Sequence, residues 1–394
     1  MPIVREPLMS VSEPPIRPIN PRFSSGPSAK RPGWRAEHLN QHSLGRSHRA
    51  PAAHSRIAHA IDLTRQLLDI PPDYLVAIVP GSDTGAVEMA LWSLLGPRGV
   101  DVLAWEHFGG LWASDIVDQL HLPDVRILTE PGDVRDRLAR VDWRRDVVFT
   151  WNGTATGTRV PDGEWIDDAR EGLAICDATS AVFGERIPIR KLDVITFSWQ
   201  KCLGGEAAHG ILVLSPRAAE RVLSYNPPWP MPKVFRLKDT NGFLPGLFSG
   251  NTINTVSLLC VEDAIDSMEW ALSIGGLETL VARVHANYGV IADWEASCDW
   301  AAFLEPAEPC RSRTSVCIRI TDPSVLGLDE SRQRALLSAM ATRLDNLGVA
   351  FDISGFRTAP PSIRIWCGPT VESGDLLALM PWLDWAFGQE RGMH

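Results

Sequence analysis

The stretch VITFSWQKCLGG, residues 194–205, ends an apolar run on Gln200 and Lys201 and then reaches Gly204 and Gly205. Lysine is scarce here: Lys30, Lys191, Lys201, Lys233 and Lys238 are the only five among 38 lysine and arginine residues. Of these, Lys201 alone is fronted by an apolar run. A lysine at a strand end commonly carries its head into solvent. Three features point elsewhere. Open α/β sheets gather ligand groups at the carboxyl ends of their strands. The two glycines let a ligand or a second backbone come close. A carboxylate, Asp177, ends another apolar run in LAICDATS. Taken alone, Asp177 reads equally well as a cap or turn residue. Together, strand–Asp followed by strand–Lys is what pyridoxal-phosphate chemistry requires. The lysine forms the Schiff base, and the aspartate keeps the pyridinium nitrogen protonated so that the ring accepts electrons. A desolvated lysine also has a lowered pKa, which suits it to move the substrate α-proton.

Other residues could complete such a site. In PGSDTGAVEMA, residues 80–90, a strand runs into Gly-Ser-Asp-Thr-Gly and then a helix. Backbone N–H groups and hydroxyls at a helix start can cradle a phosphate. The stretch matches neither the P-loop nor the dinucleotide fingerprint. Asp83 is awkward beside a phosphate and reads equally as a helix cap. Trp112, in FGGLWASD, could stack on a flat ring, or be one of many core tryptophans. Thr154, in TWNGTATG, follows a strand and a glycine, and is otherwise a turn residue. Arg46, His48 and Arg49 cluster in LGRSHRA, and FRTAPPSIRIW holds Arg357 and Arg364. Arginine forks suit carboxylates and phosphates. Arg364 lies between Ile363 and Ile365, though strand alternation could equally turn it to solvent.

These residues need a scaffold. From about residue 55 the pattern alternates helix and strand. HSRIAHAIDLTRQLLDI places Ile57, Ile61, Leu63, Leu67 and Leu68 on one helical face. Near-continuous apolar strands follow at YLVAIVP, VDVLAWE, VRILTE, DVVFTWNGT, LAICDATS, DVITFSW and GILVLS, many separated by helices. That pattern predicts an α/β fold with a mostly parallel central sheet covered on both faces. A loop-like stretch spans 226–250, and long helices are expected at 254–274 and 276–298. SVCIRIT, VAFDIS and PSIRIWCG then read as strands around the helix DESRQRALLSAMATRLDNLG. VESGDLLALMPWLDWAFGQ closes the chain as a helix. We therefore expect a flexible lead-in at 1–20, a large α/β domain at 21–275 and a small α+β domain at 276–394.

Bulk properties narrow the class. The net charge is −10, which argues against general nucleic-acid or anionic-membrane binding. No apolar run approaches the ~20 residues of a membrane span. The Pro-rich start has no secretory h-region. Seven scattered cysteines without a CxxC pair fit a reducing, cytoplasmic setting and no metal site.

The set FSSGP (23–27), SHR (47–49), GLWAS (110–114), NGT (152–154), CDATS (176–180), SWQK (198–201) and NT (254–255) resembles the phosphoserine aminotransferase family. The resemblance spans roughly 17–390. It implies a fold-type I pyridoxal-phosphate enzyme of the class V aminotransferases, a homodimer with both sites at the interface. By residue, it implies Lys201 as the Schiff-base lysine, Asp177 as the pyridinium partner, Trp112 on the ring and Thr154 at the 3′ oxygen. Asp83, Thr84 and Gln200 would lie at the phosphate, reached from the partner subunit by Asn254 and Thr255. Arg49 and Arg364 would bind substrate acid groups, with His48 and Arg357 nearby. The implied reaction moves an amino group from L-glutamate to 3-phosphohydroxypyruvate, giving O-phospho-L-serine and 2-oxoglutarate. Some members also act on the phosphorylated four-carbon analogue used to make vitamin B6. The chain departs from the commoner pattern at Ser82-Asp83-Thr84 (a Gly-Gly-Arg type loop), at Phe356 (a histidine) and at Val256 (a proline).

Other readings are a class V aminotransferase for another oxo acid, such as an alanine– or serine–glyoxylate enzyme, or the same fold kept as a binding module. The arginine cluster favours a dianionic substrate. The intact Lys201 and Asp177 favour an enzyme. No cysteine sits in an evident Gly-rich catalytic loop, which argues against a desulfurase.

Overall fold

The computed structural model describes residues 12–129 and 132–391. The first eleven residues of the expected lead-in lie outside the described residues. Seven strands build the main sheet: β1 (Leu75–Pro80), β2 (Val100–Leu103), β3 (Val125–Leu128), β4 (Asp146–Thr150), β5 (Ala174–Asp177), β6 (Val194–Ser198) and β7 (His209–Leu214). Their order is β1-β7-β6-β5-β4-β2-β3. Only β7 runs against the others, antiparallel to both neighbours. The carboxyl ends of β2, β4, β5 and β6 therefore point the same way and gather their loops at one edge.

Alternation explains the near-continuous apolar runs. Val76, Ile78, Val147, Phe149, Ile195 and Phe197 face one apolar core, shared with helices α1 (Pro51–Leu68) and α4 (Leu258–Ser273). Ala77, Val79, Val148, Ile175 and Leu212 face a second core, shared with α2 (Ser82–Leu94) and α3 (His107–Ser114). With both faces covered, every position along such a strand must be apolar or fully paired. Each Ile or Phe so buried stabilises the fold by about 1.5–3 kcal/mol. Helix ends follow local chemistry. Pro51 opens α1, and Asp69 at φ 48° ends it in the left-handed region. The Ser257 hydroxyl caps α4 by accepting from Cys260 N, so this helix begins four residues later than the apolar pattern suggests.

A second sheet in the C-terminal part of the chain, which the sequence reading assigned to a small domain, is three-stranded and antiparallel: β8 (Ala301–Phe303), β9 (Ser315–Ile320) and β10 (Ile363–Trp366). Helices α5 (Gly276–Ser297), α6 (Glu330–Asn346) and α7 (Ser373–Glu390) accompany it. VAFDIS, expected as a full strand, supplies only isolated bridges, Arg22 with Phe351 and Ser354 with Ile363. Asp352, at φ 59°, breaks its extended run. Residues 16–23 run along this part of the chain. The Trp382 indole N–H donates to Ile16 O at 2.7 Å, Phe351 N–H to Pro21 O at 2.8 Å, and Trp366 N–H to Phe23 O at 3.0 Å. Among the described residues, no helix is long and apolar enough to cross a membrane.

Candidate active site

The site begins with register. Thr150, Asp177 and Thr196 are direct neighbours on β4, β5 and β6. Their alternation partners Phe149, Cys176 and Phe197 face the α1 side, so all three polar side chains face α2 and α3. Asp177 receives two donors there. The Trp112 indole N–H of α3 donates to Oδ2 at 3.1 Å, and Thr179 N–H donates to Oδ1 at 3.1 Å. Trp112 is itself buried, its position set by Glu106, which caps α3 by accepting from Gly109 N–H at 2.9 Å.

Lys201 follows β6 and is buried, 8% exposed. Its Nζ donates to the Ser25 carbonyl and lies 5.9 Å from the Trp366 ring centre. Burial, then the nearby Arg364 cation, push its pKa down to about 8, against the pull of Asp177. The turn beneath it needs glycine. Gly204 has φ 64°, and a Cβ there would sit 2.1 Å from Ala29 O. A Cβ on Gly26 would meet Lys201 Nζ at 2.5 Å.

Asp83, in the first turn of α2, is buried against Asp177, so it serves neither as the phosphate-loop residue expected nor as the alternative helix cap. Thr84 is exposed on the same turn. Gln200 is half-buried; its side chain meets the Ser198 hydroxyl and its carbonyl accepts from Ser28 N–H at 2.9 Å. Thr154 is buried, and its carbonyl accepts from the Ser315 hydroxyl at 2.8 Å. Arg364 reaches toward the same carbonyl from β10, with Nη1 at 3.5 Å. Its guanidinium lies 5.5 Å from the centre of the Phe356 ring, and its buried Nε has no protein partner among the described residues. Arg357 is exposed and next to His107. Thus the structure brings together Lys201, Asp177, Asp83, Trp112, Thr154 and Arg364. His48, Arg49, Asn254 and Thr255 lie on loops ahead of α1 and α4. No hydrogen bond or ion pair of the described residues joins them to Lys201.

Two participants escaped the sequence reading. Ser25 contributes only its carbonyl, which no side-chain pattern signals. Glu106 is buried, with Oε2 unpartnered and its carboxyl pushed up to about 7, chiefly by burial. A glutamate closing the apolar run VDVLAWE was the available sign.

The comparisons with known proteins fall on this geometry. No protein-family model matches the chain. It is 51% identical over 371 residues to a protein of Methanosarcina mazei named phosphoserine aminotransferase, covering 94% of this chain and 97% of the relative. The chain belongs to the phosphoserine aminotransferase family. It is thus an aminotransferase, as the family resemblance implied. Among solved structures, a phosphoserine aminotransferase from Cytophaga hutchinsonii matches at TM-score 0.75 and 18% identity, covering 93% of this chain and 99% of the other. A ureidoglycine–glyoxylate aminotransferase from Bacillus subtilis matches at TM-score 0.76 and 19% identity, covering 95% and 94%. At such identities the likeness concerns the fold alone, that of the pyridoxal-phosphate-dependent aminotransferases, as expected.

Proposed function

We propose that this chain moves an amino group from L-glutamate to 3-phosphohydroxypyruvate, giving O-phospho-L-serine and 2-oxoglutarate, with pyridoxal 5′-phosphate as cofactor. The observation that carries this is the buried Lys201 beside Asp177, in a chain half identical to a named phosphoserine aminotransferase.

The residues present fit that cofactor. Lys201 is desolvated and its pKa lowered, so an uncharged amine is accessible near neutral pH. Asp177 is a buried carboxylate that a ring cation would satisfy, and its two donors fix its direction. Lys201 would hold the cofactor covalently, Asp177 its ring nitrogen, Trp112 its ring face and Thr154 its 3′ oxygen. Thr84, in the first turn of α2, and Gln200 would flank its phosphate; Asp83, which the sequence placed there too, is instead buried against Asp177. When bound, the group supplies an electron sink for a carbon that loses its proton.

The protein residues do the rest. The Lys201 amine would carry the proton that leaves the substrate α-carbon. Arg364, with its free Nε, clamps the substrate carboxylate and so fixes which bond faces the lysine. Burial of Lys201, Asp177 and Trp112 keeps water from the reacting carbon. In this reading the enzyme is a cytoplasmic homodimer. His48 and Arg49, with Asn254 and Thr255, complete the partner's site, and Arg357 meets the phosphate end of the substrate. The large domain spans 21–275 and the small one 276–394.

The test pairs cofactor with substrate. Glutamate with 3-phosphohydroxypyruvate should give a kcat/KM at least about 100-fold above glutamate with pyruvate or glyoxylate, since two charge-assisted clamps on the phosphate are at stake. Lys201→Ala should abolish turnover and covalent retention of the cofactor. The opposite substrate ranking sinks the assignment.

A further inference from the structure

Of Ser82, Asp83 and Thr84 in the phosphate-type loop, Asp83 is the buried one. The cause is local. Gly81 and Ser82 are both left-handed, at φ 87° and 57°. This tight turn presses the start of α2 onto the sheet: a Cβ on Gly210 of β7 would sit 2.2 Å from Ser82 O, and one on Gly85 would sit 2.0 Å from Pro80 O. The Asp83 side chain is thereby directed at the polar row Thr150–Asp177–Thr196. All four groups are buried. Among the described residues, the Thr150 and Thr196 hydroxyls and Asp83 Oδ1 have no hydrogen-bond partner. The buried Asp83 carboxyl adjoins Asp177, which already accepts from Trp112 and Thr179.

We propose that Asp83 is a positioning residue that acts through Asp177, donating a shared proton to it so that Asp177 meets the cofactor's ring nitrogen as a carboxylate held by three donors.

Two adjoining carboxyls in a dry site cannot both be ionised. The asymmetry chooses the member. Burial, followed by the charge of Asp177, pushes Asp83 well up. Burial also raises Asp177, but the bonds from Asp83, Thr179 and Trp112 and the charge of Lys201 favour its ionised form. Asp83 therefore carries the proton. The other groups facing it do not replace Asp177 as partner. The Thr196 hydroxyl and the Lys201 cation favour the charged form of Asp83 but rank behind burial and Asp177, and Cys176, raised by burial, points to the far face of the sheet. His209, on the strand packed against α2, turns its Nε2 to Ser257 N–H. Glu106 acts on Asp177 through its charge.

This inference rests on the pyridoxal-phosphate reading, so one arm of its test needs no cofactor. In cofactor-free protein, a carboxyl raised on folding stabilises at low pH, and that stability is lost as pH rises through its folded value. The melting temperature of wild type should therefore fall more steeply from pH 5 to pH 8 than that of Asp83→Asn, which keeps a neutral donor. In the second arm pyridoxal 5′-phosphate is titrated into each variant. Asp83→Ala should bind it about tenfold or more weakly, the scale of one charge-assisted hydrogen bond, and shift the pH midpoint of the bound-cofactor absorbance. Asp83→Asn should restore both. Parallel melting profiles for wild type and Asp83→Asn, or wild-type binding and midpoint in Asp83→Ala, overturn the proposal. If Asp83→Ala does not fold, the melting comparison with Asp83→Asn decides. Failure of the wild-type protein to bind the cofactor would instead overturn the functional reading, and the melting arm would still judge the carboxyl pair.

Discussion

Arg364 acts at two points of the proposed reaction. Its guanidinium packs against Phe356 and keeps Nε free to meet a carboxylate. The same positive charge, second to burial, lowers the Lys201 pKa. Replacing it with glutamine should lower kcat/KM by about 30–100-fold, the scale of a charge-assisted bidentate contact. Removing a cation beside Lys201 must also raise the lysine pKa above about 8. The pH profile of kcat/KM should shift its lysine limb upward in Arg364→Gln. A lower kcat/KM with an unmoved limb would separate Arg364 from Lys201. Side-chain type and flanking residues made Lys201, Asp177 and Arg364 legible in the sequence. Period-two alternation left open which way Arg364 pointed. The structure turns it toward Thr154 because Ile363 and Ile365 take the core side of β10.

Elements explain what could not be read. The apolar strands and amphipathic helices were visible because a covered parallel sheet leaves a continuous apolar record. The single reversed strand β7 left none, since its six residues are as buried as those of its parallel neighbours. Asp83 was read as a phosphate-loop residue because the Gly81–Ser82 turn that directs it inward depends on where β7 lies. β7 also anchors a second element. His209, its first residue, accepts from Ser257 N–H at 3.0 Å and so ties the start of α4 to the sheet. Burial lowers its pKa to about 4. The unfolded chain then binds more protons between pH 6.5 and 4, so stability is lost as pH falls through that window. Urea unfolding should show wild type losing about 3 kcal/mol between pH 7 and pH 4 that His209→Gln does not lose. Equal losses would mean that the imbalance in proton binding arises elsewhere.

At the scale of the molecule, the apolar core facing α1 and α4 continues under the three-stranded sheet through Val316, Ile318 and Leu336. Lys201 beside the main sheet and Arg364 on β10 therefore stand on one packed body. The loops carrying Arg49, Asn254 and Thr255 lie exposed instead, and Leu259 just beyond them is 52% exposed. Polar residues suited to a site and an apolar neighbour, both on the outside, fit a surface covered by a second copy. A subunit-mixing experiment measures this. Lys201→Ala and Arg49→Ala chains are each expected to be nearly inactive. If every site takes its lysine from one chain and its arginine from the other, a mixed dimer has one doubly damaged site and one intact site. Unfolding and refolding the two together in equal amounts should then recover about a quarter of wild-type activity, because half the dimers are mixed. Sites built within one chain would give only the sum of the two residual activities. That result would place Arg49 in the site of its own chain rather than the partner's.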